Sequence, residues 1–334
     1  IPGADPRSRA RSFSMSGFSE RCLALSGGVG GAKLALGLAH QLTPDQLLVC
    51  ANTGDDFTHL GLRICPDLDT VMYTLAGISN QQLGWGLADE SWQFMEQLSA
   101  LGVADWFRLG DRDVATHVVR SHWLAEGVSL TGVTRKLCQR LGVGHNVVPM
   151  TDQNVATQVD TDEGMLSFQE YFVARRCEPV LRSLAFAGIE HAQLQSEVQA
   201  FVLDPGLGAV LICPSNPLVS VAPILSVPGM REALAECAAP VIAVSPIVGG
   251  QALKGPAAKM MQELDMPVSA AGVAAYYGDV LDGFVIDQQD QDQASCVESL
   301  GLRVLVTDTV MRNQADKERL ARETLLFARA IDSR

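Results

Sequence analysis

The chain has 334 residues, 47% hydrophobic and 19% charged, with a formal net charge of −13. That length and balance fit one large α/β domain or two domains around a substantial core, and exclude a disordered chain. The acidic charge excludes a nucleic-acid surface, which needs clustered Lys and Arg; no apolar run approaches a membrane span, and a cytoplasmic protein is expected.

Residues 1–20 are read as a disordered head. They are Ser-rich, carry Arg7, Arg9 and Arg11, and lack the apolar segment of a secretory signal. An expression remnant or an extended start is expected here, with native sequence from near Met15. A first apolar run at 22–25 leads into Ser26-Gly-Gly-Val-Gly-Gly-Ala-Lys33 and a helical stretch over 32–42. Strand, glycine loop and helix together bring bare backbone N–H groups and a helix N-terminus up to a phosphate. Gly27, Gly28, Gly30, Gly31 and Lys33 are the candidate contacts. The loop fits neither standard signature. A Walker loop needs Gly-Lys-Ser/Thr, whereas Ala32 and Leu34 flank Lys33, and a dinucleotide fingerprint begun at Gly28 wants Gly or Ala at position 33. A tight strand–helix turn is the alternative.

The next strand, 47–51, ends in Asn52-Thr-Gly-Asp-Asp56, and Cys65-Pro-Asp-Leu-Asp69 then opens a helix running to Leu75. Clustered carboxylates at strand ends are hard oxygen ligands of the kind Mg²⁺ takes together with phosphate oxygens. Asp55 and Asp56 are the metal candidates, and helix capping by Asp67 or Asp69 is the alternative for that pair. Helices are expected at 91–101 and 114–126. Arg108, Asp111, Arg112 and Asp113 lie at the entry to the second, where Arg–Asp pairing and an N-cap would also account for the charge. His117 and His122, five apart, do not share a helix face and read as core or capping histidines.

Residues 155–160 and 166–173 alternate about Thr161-Asp-Glu-Gly164 and predict a β-hairpin within an inserted, smaller lobe at 111–205. Apolar strands follow at 209–213, 241–245, 284–286 and 304–307, separated by helices at 231–237, 257–264 and 316–330. This pattern predicts a doubly wound, Rossmann-like α/β core with a mostly parallel sheet, formed by 21–110 and 206–334. Ligands of such a sheet bind outside the carboxyl ends of its strands. Two loops fall there: Cys213-Pro-Ser-Asn-Pro217, offering Ser215 and Asn216, and the 245–257 loop, with Lys254 and Gly255 before Pro256 at a helix start. Ordinary proline turns are the alternative. Eight scattered cysteines without a C-x-x-C read as reduced, buried small hydrophobes.

Over about residues 21–330 these segments resemble the 2-phospho-L-lactate transferase family of deazaflavin coenzyme F(420) biosynthesis. The matching motifs are SGGVGGAK (26–33), NTGDD (52–56), CPDLDT (65–70), LGDRDVATH (109–117), PSNPLVSVAPIL (214–225), SPIVGGQALKGPA (245–257) and TDT (307–309). The Gly-Gly-Ala-Lys, Cys-Pro-Asp-Leu-Asp and Tyr73-Thr-Leu-Ala-Gly77 forms look more like bacterial members than archaeal ones. The resemblance implies a Mg²⁺-dependent transfer. A guanosine diphospho-donor carries a three-carbon acid on its outer phosphate, the ribityl hydroxyl of the deazaflavin Fo attacks that phosphorus, and GMP leaves. It also implies a homodimer. Asp69 would face the acceptor with Arg108 beside it, and Asp55 would be the first metal ligand. Gly27–Lys33, Ser215, Asn216, Lys254 and Gly255 would hold the donor. Two other readings stay open: a different nucleotide-sugar or phosphate-binding enzyme of the same fold, and a non-catalytic nucleotide sensor.

Overall fold

The computed structural model describes residues 20–103, 105–253 and 255–331. The expected head therefore lies outside the described residues, apart from Glu20, and so does Lys254.

Seven strands form the central sheet: β1 (Arg21–Ser26), β2 (Leu47–Ala51), β3 (Asn146–Pro149), β4 (Leu207–Ile212), β5 (Val241–Val244), β6 (Gly283–Asp287) and β7 (Arg303–Thr307). Their order is β7-β6-β5-β4-β1-β2-β3, and every pairing is parallel. All six apolar runs read from the sequence are strands of this sheet. The doubly wound α/β reading is correct.

Alternate residues of each strand enter different cores, as the two-residue period requires. Cys22, Ala24, Val49 and Leu211 face a layer containing the helices α1 (Gly28–Ala39), α2 (Pro66–Leu75) and α4 (Gln314–Arg329). Leu23, Leu25, Leu48, Val210 and Ile212 face the other layer, with the helices Ser196–Val202 and Ala270–Tyr277. Burial on both faces is why the strands read as unbroken apolar runs. The helix α3 (Asp111–Ala125) lies beyond α2 and rests on the Phe57–His59/Leu62–Ile64 hairpin.

The segment 111–205 divides. Residues 146–149 supply β3 at the edge of the main sheet, while Ala156–Thr161, Gly164–Ser167 and Leu181–Ala187 form a separate antiparallel sheet. The expected hairpin turns at Thr161–Gly164, but its second strand is shorter than the 166–173 expected. From Phe168 the chain is helical, because Phe168 and Tyr171 turn into the core and Glu170–Ala174 closes as a π-turn. Phe168 and Tyr171, three apart, follow a helical spacing and not the strand alternation expected at 166–173.

All eight cysteines are free, and seven are buried. Among the described residues no single helix is long and apolar enough to cross a membrane. The bent pair Pro217–Ser226 and Met230–Glu236 passes on composition, but its apolar side chains belong to the core.

Candidate active site

β1, β2 and β3 run outward in one direction, and β4 then returns to the other side of β1. The order thus reverses between β1 and β4, where an open parallel sheet leaves a crevice at its carboxyl ends. The glycine segment follows β1 and the 213–220 loop follows β4, and the two are bonded to each other. Ser215 Oγ donates to the Gly27 carbonyl at 2.7 Å and accepts from the Gly27 N–H at 3.2 Å.

The glycines serve this contact first. α1 begins at Gly28, earlier than expected, so the segment is largely a first helical turn. A Cβ on Gly30 would lie 2.2 Å from the Pro214 carbonyl oxygen, and one on Gly31 would lie 2.6 Å from the Ser215 hydroxyl. Gly28 has a φ of +59°, which only glycine adopts cheaply. Close approach of protein to protein therefore accounts for these residues. The Gly28 N–H, one of the donors expected to face a phosphate, is bonded to Asp67 Oδ1 at 2.7 Å.

Asp67 is thus a cap for α1, not for its own helix. α2 starts with Cys65 at the N-cap position, without a side-chain cap bond, and with Pro66 in its first turn. The other Asp67 oxygen accepts from Asn52 Nδ2 at 2.9 Å, and Asn52 Oδ1 in turn holds the Gly54 N–H at 2.8 Å. Asn52 thereby ties the acidic loop after β2 to the start of α2. The three-stranded sheet closes over the same loop: the Thr157 N–H donates to the Gly54 carbonyl at 2.7 Å, and Gln169 Nε2 to the Asp55 carbonyl at 3.3 Å.

Four carboxylates, those of Asp55, Asp56, Asp67 and Asp69, are buried here. Burial pushes Asp55 well above the usual carboxylate range, and the neighbouring Asp67 charge raises it further. Burial raises Asp67 to about 6, against the bonds from Asn52 and Gly28. Asp56 is raised to about 7 by burial, partly offset by Arg63, whose Nη2 lies 3.3 Å from Asp56 Oδ2. Asp55 Oδ1 and Asp56 Oδ1 are buried and have no hydrogen-bond partner among the described residues.

These shifts fix a pH dependence. Between about pH 4 and pH 7 the folded chain keeps a proton on Asp56 that the unfolded chain has released, so this group's stabilising contribution is lost as pH rises. In metal-free buffer, Asp56→Asn should therefore gain stability relative to wild type as pH increases from 4 to 7. Parallel thermal-melting profiles for the two proteins would remove Asp56 from the titration.

Asp69 sits one turn into α2 and is clamped by Arg120. One guanidinium nitrogen pairs with Oδ1 and the other donates to Oδ2 at 3.1 Å. Arg120 is 1% exposed. Burial works against its charge, but the Asp69 carboxylate more than offsets this and holds its pKa above the ordinary value. His117 Nδ1 stands 3.1 Å from Arg120 Nη1, and His117 Nε2 stands 3.4 Å from Asp113 Oδ1. Asp113 also accepts from the Tyr73 hydroxyl at 2.7 Å. Burial alone would raise Asp113; the bond and charge from His117 and the Tyr73 bond hold it below its usual range. Asp69, Asp113 and His117 could together offer three metal-ligand atoms, but the positive charge at this spot is the Arg120 guanidinium.

The other expected residues fall as follows. Arg108 is exposed, with its guanidinium 4.3 Å from the Trp92 ring centroid, and makes no ion pair among the described residues; the arginine beside Asp69 is Arg120. Asp111 accepts from the Gln93 and Phe94 N–H groups, and Glu90 accepts from those of Arg112 and Asp113, so two successive helices cap one another. Asn216 Oδ1 holds the Leu218 N–H at 3.0 Å. Lys33 Nζ donates to the Met311 carbonyl at 3.2 Å, linking α1 to the loop after β7. Gly255 is exposed with a φ of +76° and open space around it. Of the residues singled out in the sequence, Asp55, Asp56, Asp69, Gly27, Gly28 and Ser215 lie about one crevice. Arg63, Asp67 as a cap of α1, and Arg120 were missed. Asp113, His117 and Arg120 stand at i, i+4 and i+7 on α3, a charged stripe on one helix face that could have revealed the last.

The family model for the 2-phospho-L-lactate transferase CofD matches residues 22–324. The chain belongs to the CofD family. It is 40% identical to a phosphoenolpyruvate transferase of Streptomyces coelicolor, over 93% of this chain and 99% of that one. It is 39% identical to a 2-phospho-L-lactate transferase of Methanosarcina mazei, over 89% and 96%. A solved structure of a UPF0052-family protein from Bacillus halodurans covers 92% of this chain and 99% of its own, with a TM-score of 0.64 at 12% identity, and shows the shared fold. This CofD-family chain is accordingly an enzyme of the transferase class.

Proposed function

We propose that this CofD-family transferase moves a phospho-three-carbon-acid group from a guanosine diphospho-donor to the ribityl hydroxyl of the deazaflavin Fo in coenzyme F(420) biosynthesis, with Mg²⁺ required. The acceptor oxygen forms a new bond to the outer phosphorus, the bond from that phosphorus to the bridging oxygen breaks, and GMP leaves while the hydroxyl proton passes to solvent. The observation that carries the reading is the set of buried, mutually repelling carboxylates beside the N-terminus of α1, at the reversal point of the sheet.

The residues present fit a divalent cation. Asp55 and Asp56 each have one buried, unpartnered carboxylate oxygen, hard donors of the kind Mg²⁺ takes. Asp55 and Asp56 would hold the ion, with Asp67 beside them. When bound it would neutralise the negative charge of diphosphate and carboxylates together. The chain itself supplies positioning, on which phosphoryl transfer largely depends. Asn52 fixes the acidic loop, Ser215 fixes the start of α1 against the 213–220 loop, and Arg120 fixes Asp69. Asp69 toward the acceptor, Arg108 at its rim, and Lys254 and Gly255 toward the donor complete the proposed set, in a homodimeric protein.

Incubating the protein with Fo, Mg²⁺ and, separately, the 2-phospholactyl, phosphoenolpyruvyl and 3-phosphoglyceryl donors, then weighing the product, tests the reaction and resolves the acid. No transfer from any of the three would end the proposal. Calorimetric titration should show GDP binding more tightly than ADP, and equal affinity would remove the guanosine donor.

A further inference from the structure

A second recess lies outside the carboxylate cluster, between α1, α2, the 79–86 loop and α4. It is a small recess that opens to solvent. Lys33 reaches it from α1, Thr70 and Thr74 from successive turns of α2, Gln81 from the loop and Lys317 from α4. Among the described residues no Asp or Glu lines it, although the chain as a whole carries a net charge of −13.

Lys317 is the informative residue. It is 6% exposed, and its ammonium has no hydrogen-bond or ion-pair partner among the described residues. A long stem covering apolar surface explains a buried lysine whose head group reaches water or a partner. Lys317 lines a recess that a second lysine, Lys33, also lines. The stem of Lys317 is buried, while its ammonium is partly desolvated and meets no counter-charge among the described residues. Burial alone lowers its pKa, with no compensating charge. The fold thus places two lysines at one recess.

We propose that this recess binds a small oxyanion, a phosphate or carboxylate group, with Lys317 as its main counter-charge and Lys33 as the second. The hydroxyls of Thr70 and Thr74, four residues apart on one face of α2, supply hydrogen bonds to it. The recess is a subsite beside the crevice, sharing only the α1 segment with the donor site proposed above.

The test is calorimetric titration of inorganic phosphate, at constant ionic strength in chloride, into wild type and Lys317→Met, each with and without saturating GDP. Wild type should bind phosphate under both conditions, and Lys317→Met should bind it at least tenfold more weakly under both. Lys317→Gln should behave like the methionine variant. In phosphate-free buffer Lys317→Met should melt higher than wild type, and phosphate should raise the wild-type melting temperature but not the variant's. Acetate in place of phosphate separates the two oxyanions: heat with phosphate alone assigns a phosphate group, and heat with both assigns a site open to carboxylates. Absence of phosphate binding to wild type, or equal binding to the Lys317 variants, would overturn the proposal.

Discussion

Asp55→Asn should lower turnover at least ~100-fold, on the scale of losing one electrostatic stabiliser, while its metal-free fold becomes more stable than wild type. The two effects share one cause. Asp55 and Asp67 are buried together, the Asp67 charge disfavours ionisation of Asp55, and Asp55 Oδ1 has no hydrogen-bond partner among the described residues. An amide of nearly the same shape removes one of the repelling charges and relieves that penalty. It also removes a ligand from the proposed Mg²⁺ site. The order of stabilities should therefore reverse with the ion: wild type gains from binding by mass action, and the variant gains little. Melting curves with and without Mg²⁺, together with turnover at limiting Mg²⁺, read both effects. Near-normal turnover of Asp55→Asn at limiting Mg²⁺ would move the ligand role elsewhere, with Asp56 next in line.

The sheet was legible in the sequence because burial on both faces leaves no polar interruption, so runs such as 47–51 and 209–213 announce themselves. β3 was hidden: Asn146–Pro149 is only four residues long, begins exposed and ends in proline, as an edge strand can. The glycine segment was legible as an unusual backbone, but what approaches that backbone was not. Local sequence cannot show that the Pro214 carbonyl lies against Gly30 or that Asp67 reaches the Gly28 N–H, since both contacts span long loops. For the same reason the acidic residues could be listed as a set, while their division could not be read. Arg63 compensates Asp56 across a hairpin and Arg120 compensates Asp69 from another helix, which leaves Asp55 and Asp67 without a cationic partner among the described residues. Arg108 drew notice by lying in a motif. Arg120, which makes the contact, lies in an ordinary helix interior.

That division decides what a change at Asp69 should do. Had Asp69 been a helix cap, Asp69→Ala would cost roughly 1 kcal/mol. It is instead the bidentate partner of a guanidinium that is 1% exposed. Breaking a buried pair from one side leaves an uncompensated charge and costs about 3–5 kcal/mol. Asp69→Ala should therefore melt far lower than wild type, and its loss of transfer alone would not separate a damaged fold from a damaged acceptor site. Asp69→Ala combined with Arg120→Met removes both charges, and replacing a whole buried pair is often close to neutral. The double variant should recover most of the lost stability and bind GDP as wild type does. If the Asp69 carboxylate also meets the acceptor, as its place in the CPDLDT motif implies, the recovered protein will still fail to transfer to Fo. A double variant that is stable, binds GDP and transfers normally would reduce Asp69 to an internal counter-ion for Arg120. Loss of GDP binding in that stable protein would place the pair on the donor side instead.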